Sequence, residues 1–166
     1  MNPICVYGAH KLEAEQLVLN SSLPHLILRI TNVYGDEIRG KNFISRLLNQ
    51  IKAGEQISIT LPSDQYATPI NALDVAKALK QLLEDDKRGI YHLGSTDYLN
   101  RYQLASRVVR KAAYTNATLT QITTSEMAQP ALRPLNGGLL SHKFLSEFPE
   151  FCFSNIDDYL NTQTHV

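Results

Sequence analysis

Several common sources of function are scarce or missing in this sequence. Its two cysteines, Cys5 and Cys152, are far apart, and neither stands in a CxxC or Cys/His spacing, so no metal site is expected and a reduced protein is the default. No apolar run approaches the ~18 residues that span a bilayer, and the N-terminus lacks the basic-then-apolar layout of a signal peptide. The chain therefore reads as cytoplasmic, with no membrane partner. Neither sign of charge predominates: 16 basic residues face 16 acidic ones, without a Lys/Arg cluster. Nucleic-acid and anionic-membrane binding depend on local basic density and are excluded on that ground. An anionic substrate remains accessible to a few placed donors. The eight glycines, at 8, 35, 40, 54, 89, 94, 137 and 138, form no GxGxxG or GxxGxxG. The turn that cradles a pyrophosphate at a helix N-terminus is thus not expected.

What is present is an ordinary globular composition, 43% hydrophobic and 19% charged over 166 residues, enough for one compact domain with a sizeable core. Helical and extended patterns alternate. A helix from about Tyr7 to Asn20 precedes the apolar run His25 to Ile30, which reads as a strand buried on both faces of a parallel sheet. A polar loop over Tyr34 to Lys41 ends at Asn42, which caps a helix through Phe43, Leu47, Leu48 and Ile51 that stops at Gly54. Gln56 to Leu61 alternates with period two, as a half-exposed strand does. A loop over Ser63 to Ile70 leads to an amphipathic helix of Leu73, Val75, Ala76, Leu79, Leu82 and Leu83, with Asp74 favoured in its first turn by the helix dipole. Gly89 to Gly94 reads as another buried strand, Leu104 to about Ala113 as a helix and Leu119 to Ile122 as an edge strand. Two short helices close the chain, the last around Ile156 to Leu160. The alternation predicts an α/β fold.

The stretch with chemical content is Tyr7-Gly8-Ala9-His10-Lys11 at the head of the first helix. Positions four apart share a helix face, so the Tyr7 phenol and the Lys11 ammonium reach the same pocket. A nearby ammonium favours an ionised phenol, which suits Tyr to proton transfer at neutral pH. The spacing is weak evidence by itself, since chance yields roughly 0.4 such pairs in a chain of this composition. His10 and His92 have no paired ligand or base in the sequence and read as solvated or satisfied side chains.

The order Pro3, Tyr7-Gly8, Lys11, Glu15 and then Leu28-Arg29-Ile30-Thr31-Asn32-Val33-Tyr34-Gly35 resembles the extended short-chain dehydrogenase/reductases, and within them the dTDP-4-dehydrorhamnose reductase branch. The resemblance implies that Tyr7 and Lys11 are the catalytic pair. Tyr7 would exchange a proton with a sugar carbonyl or hydroxyl, and Lys11 would lower the phenol's pKa and hydrogen-bond the ribose of NAD or NADP. Thr31 would lie at the cofactor and Asn32 would contact substrate. Asn42-Phe43 resembles the helix start beside the nucleotide-sugar site, and Asp64-Gln65-Tyr66-Ala67-Thr68-Pro69 resembles the Asp-Gln-x-Gly-x-Pro-Thr segment. Arg133-Pro134 matches a late Arg-Pro in which the Arg pairs a phosphate. Asn42, Gln65 and Arg133 are accordingly candidate substrate-binding residues. Each has a structural alternative: Asn42 an N-cap, Gln65 and Thr68 turn residues, Arg133 a surface ion pair.

The departure from that family is large, because its opening strand, Gly-rich turn and upstream Ser/Thr have no counterpart here. The resemblance thus implies a single domain over 1–166: a partial Rossmann-like, doubly wound sheet lacking its N-terminal nucleotide-binding half, plus the small substrate-binding subdomain. A piece of a split or truncated reductase, a fragment of a longer chain and a descendant without the chemistry all fit. The first helix and the strand Leu26 to Ile30 are expected to expose apolar surface, inviting a homo-oligomer or a partner chain that supplies the nucleotide-binding half. The expected function is the substrate-binding part of an NAD(P)-dependent reductase or epimerase of a nucleotide-linked keto sugar, inactive alone. The alternative is a non-catalytic binding or regulatory module; the non-catalytic subunit of methionine adenosyltransferase resembles this branch too.

Overall fold

The computed structural model describes residues 2–163. Helix α1, Val6–Leu19, starts after Cys5 and ends at Asn20. Gly8, Leu12, Glu15 and Leu19, spaced four, three and four apart, form its half-buried stripe; none of its residues is fully buried. The chain then enters β1, Leu26–Ile30, which pairs in parallel with β6, Gly89–Leu93, in the register Leu26 to Gly89 through Ile30 to Leu93.

Period two divides the work of these strands. Tyr91 and Leu93 of β6 point into a core with Ala78 and Leu82 of α3, Ala72–Glu84, and with Phe144 of α6, His142–Glu147. Phe144 is fully buried, with the rings of Phe148, Phe151 and Phe153 4.9–5.6 Å away. On the opposite face, Arg29 and His92 sit across from each other beneath α1. The expectation that β1 is buried on both faces needs correction: Leu26 to Arg29 are half-buried and Ile30 is exposed. Burial on both faces needs cover on both, whereas β1 has one strand neighbour among the described residues, and α1 lies over it without burying any of its own side chains.

The second core gathers around the parallel pair β3, Ile57–Pro62, and β8, Ala117–Ile122. It is filled from α2, Phe43–Lys52; α4, Arg101–Lys111; and α7, Ile156–Gln163. β3 alternates as expected, and α2 ends at Ala53 with Gly54 at φ +69°, a left-handed position suited to glycine. Helix α4 carries a capping box of Asn100 and Gln103. Helix α3 is where its pattern puts it, but the buried stripe is Asp74, Ala78 and Leu82, while Leu73, Leu79 and Leu83 are exposed. Asp74 is buried because its Oδ2 accepts the Ser154 N–H at 2.7 Å, anchoring the segment that leads to α7.

Short elements link the two cores. β2, Val33–Tyr34, pairs in parallel with β5, Ile70–Asn71; β4, Tyr66–Ala67, pairs antiparallel with β7, Leu99–Asn100; and α5 covers Thr124–Met127. Tyr34 lies in the second core, its ring 5.2 Å from that of Tyr159. Gly94, just past β6, lies where Thr68 and Leu139 cross: a Cβ there would stand 2.6 Å from the Leu139 carbonyl oxygen, so no larger residue fits without displacing backbone. The expected α/β architecture is thus present as small parallel sheets covered by helices, in the manner of part of a Rossmann-type fold.

Candidate functional site

The first two turns of α1 place Tyr7 and Lys11 one above the other. The Lys11 ammonium lies 5.6 Å from the centre of the Tyr7 ring, so the pairing expected from the spacing is present. Both side chains face solvent, Tyr7 at 67% exposure. Other tyrosines are placed differently. Tyr34 and Tyr159 are buried, and that burial, reinforced for Tyr159 by its 2.9 Å hydrogen bond to the Asp36 carboxylate, pushes both phenols well above their usual range. They remain neutral hydrogen-bonding groups at physiological pH.

What holds α1 in place was not read from the sequence. Arg29, in the middle of an otherwise apolar strand, donates from Nε to Glu15 Oε2 at 2.9 Å and from Nη2 to Glu15 Oε1. It also meets His92 Nε2 at 3.0 Å from Nη1. Since a guanidinium only donates, that nitrogen of His92 is the acceptor and its proton sits on Nδ1. The Arg29 hydrogen bonds hold the Glu15 carboxyl below the usual carboxylate range, and Glu15 raises Arg29 in return. His92 is therefore a satisfied histidine, as expected. The missed signal was a cation within an apolar strand, which requires a partner that only the fold can supply.

Thr31 and Asn32 follow the carboxyl end of β1, where sheets of this kind present ligand-contacting residues. Thr31 is half-buried and Asn32 exposed, its carbonyl accepting the Ile70 N–H at 2.9 Å. Asn42 is brought to the same region. Its Oδ1 caps α2 by accepting the N–H groups of Ile44, at 2.8 Å, and Ser45, and its Nδ2 donates to the Val33 carbonyl at 2.9 Å. The N-cap alternative is thus realised, and one N–H of Nδ2 is left over.

Gln65 is committed elsewhere. Both its N–H groups are used, by Thr124 Oγ1 at 3.0 Å and Gln129 Oε1 at 3.3 Å, beside an Asp64 carboxylate that takes the Thr124 N–H and hydroxyl and is held below its usual range by them. Thr68 both accepts from and donates to the Leu139 backbone. These residues tie distant segments together rather than making local turns. Arg133 is exposed and forms no ion pair among the described residues; its charge acts instead on Arg101, at the start of α4. Among the described residues no hydrogen bond or ion pair joins Tyr7 and Lys11 to Asn42, Gln65 or Arg133.

No helix among the described residues is long and apolar enough to cross a membrane. Residues 1–152 match the RmlD substrate binding domain. The dTDP-4-dehydrorhamnose reductase of Salmonella typhimurium is 31% identical over 157 residues, covering 89% of this chain and 51% of that protein. Methionine adenosyltransferase 2 subunit beta of Bos taurus is 27% identical over 144 residues, covering 83% of this chain and 42% of that one. The crystal structure of dTDP-4-dehydrorhamnose reductase from Bacillus anthracis in complex with NADP superposes with a TM-score of 0.83 at 22% identity, over 97% of this chain and 55% of that one. The chain spans about half the length of the curated relatives it matches. It belongs to the RmlD substrate-binding domain family.

Proposed function

We propose that residues 1–166 form the substrate-binding, Tyr/Lys-bearing unit of an NAD(P)-dependent reductase or epimerase acting in the cytoplasm on a nucleotide-linked keto sugar. The observation that carries this reading is the solvent-open pair of Tyr7 and Lys11 on a helix clamped over the β1–β6 strand pair, with Asn32 just past the carboxyl end of β1. Cofactor binding is divided. Lys11 has no carboxylate partner among the described residues, so its three N–H donors suit ribose hydroxyls, and Thr31 suits the nicotinamide side. The chain has no Gly-rich turn for the pyrophosphate, which a nucleotide-binding unit, in the same or a separate polypeptide, supplies.

When bound in its reduced form, NADH or NADPH would supply the hydride. The protein's part is the proton: Tyr7 donates its phenolic hydrogen to the carbonyl oxygen of the keto sugar and regains one from solvent, while Lys11 places a positive charge beside the phenol. Asn32 orients the sugar, Asn42 offers its remaining N–H, Gln65 offers its carbonyl oxygen and Arg133 contacts phosphate. A homo-oligomer is proposed through α1, where Leu17 is exposed. The test is calorimetric titration of the whole chain with a deoxythymidine diphosphate sugar and, separately, with NADPH. The reading expects the sugar nucleotide to bind and NADPH to bind weakly; micromolar affinity for NADPH, or no affinity for any nucleotide sugar, contradicts it.

A second reading, a docking or regulatory module without turnover, draws on the same helix. Helix α1 offers its outer side to solvent and has no fully buried residue, as a helix awaiting a partner would.

A further inference from the structure

Tyr7, Lys11 and Glu15 stand four residues apart in α1, a spacing that aligns a phenol, an ammonium and a carboxylate in one column. The middle member of such a column has two partners to choose from. The Lys11 ammonium can lie over the Tyr7 ring, or it can turn the other way and pair with the Glu15 carboxylate, and on an exposed helix surface the two contacts are of similar strength. The first is the one present: Lys11 lies 5.6 Å from the centre of the Tyr7 ring, and no ion pair of the described residues includes it. The reason lies on β1. Four residues advance a helix by slightly more than one turn, so the column winds from solvent towards the strands, with Tyr7 and Lys11 exposed and Glu15 half-buried. There Arg29 engages both carboxylate oxygens, Nε donating to Oε2 at 2.9 Å and Nη2 to Oε1, while its Nη1 donates to His92 Nε2 at 3.0 Å. A planar fork fixed at three points sets the plane of the carboxylate as well as its place, which a lysine in position 29 would not do.

We infer that Arg29 is a positioning residue for Lys11: by holding Glu15 on β1 it withholds the one carboxylate within helical reach of Lys11, and so keeps the ammonium on Tyr7. The inference rests on the proposed reading, in which Lys11 serves the phenol and a ribose, and it gives a purpose to a cation in the middle of an apolar strand. An ammonium already paired with Glu15 would place less positive charge beside the phenol and offer fewer N–H donors to ribose hydroxyls. This role is separable from the tethering of α1. A tether is lost when either partner of the clamp is removed, whereas withholding is needed only while position 15 carries a charge.

The test is the nuclear Overhauser contact between the Lys11 side-chain methylenes and the Tyr7 ring protons, measured on the full chain at neutral pH. It compares the parent with Arg29→Gln, Glu15→Gln and the double variant Arg29→Gln/Glu15→Gln, with circular dichroism to verify folding. Arg29→Gln is expected to weaken the contact by about half or more, because the released Glu15 competes for Lys11. Glu15→Gln should leave it unchanged, and the double variant should restore it although the clamp is gone. An unchanged contact in Arg29→Gln overturns the proposal. So does a contact that stays weak in the double variant, the result of a tether alone, or one already altered in Glu15→Gln. If Arg29→Gln does not fold, Arg29→Lys decides: a partial loss that added Glu15→Gln reverses is expected, and no loss, or a loss it does not reverse, overturns the inference. No arm uses substrate or cofactor, so failure of the broader reading looks different. Lys11 responding to Glu15 as stated, while Tyr7→Phe turns over at an unchanged rate, keeps the positioning and removes its catalytic purpose.

Discussion

Glu15 and Arg29 are fourteen residues apart in sequence and joined by a two-pronged ion pair that pins the helix bearing Tyr7 and Lys11 to the strand β1. Glu15 is 11% exposed and Arg29 26%, so this pair is less screened than the surface pair Lys80–Glu84 on α3. Because no residue of α1 is fully buried, the clamp should dominate its attachment. Arg29→Met is expected to increase hydrogen exchange of α1 amides by about tenfold or more while β3 and β8 stay protected. Equal protection of α1 in the variant would show that the helix is held by other contacts.

The same pair sets a pH dependence. The folded Glu15 carboxyl titrates below its unfolded value, so its stabilising contribution is complete above the unfolded value, near about pH 4.3, and is lost as pH falls through the lower folded one. Exchange of α1 should therefore accelerate as pH drops below about 4, after correction for intrinsic rates. In Glu15→Gln it should be fast at every pH, with that step absent.

Asn42 joins three backbone groups, two N–H groups of α2 and the Val33 carbonyl. Asn42→Ala removes the cap and the tie to β2, with an expected loss of about 1–2 kcal/mol. For a chain of this length that lowers Tm by roughly 2–4 °C per kcal/mol. Differential scanning calorimetry reads it directly.

Gly94→Ala places a methyl group against Thr68 and the Leu139 carbonyl, where the hydrogen bonds between Thr68 and Leu139 leave no room to yield. The expected cost is about 1–3 kcal/mol, larger than a helix-propensity change would give. Urea unfolding should show a lower midpoint with an unchanged slope.

Much of the scaffold was legible because it is encoded locally. The Asn42 cap, the alternation of Ile57 to Leu61 and the stop at Gly54 each depend on neighbours a few residues away. The i,i+4 pairing of Tyr7 and Lys11 is local for the same reason. Burial was less legible, since it depends on what lies across the sheet. The buried stripe of α3 runs through Asp74 because the Ser154 N–H arrives there from a segment eighty residues on. The Arg29 clamp was invisible for a like reason: it joins residues on separate elements, and an isolated arginine in the sequence does not reveal whether a carboxylate faces it.

The central claim, that this chain brings the proton donor to a nucleotide-linked keto sugar, is tested most directly by turnover of Tyr7→Phe with the nucleotide-binding unit and NADPH present. The exchange keeps the ring over Lys11 and removes only the hydroxyl. The account predicts a kcat lower by about 10²-fold or more with KM nearly unchanged. An unchanged kcat would make Tyr7 an ordinary residue of α1 and contradict the account.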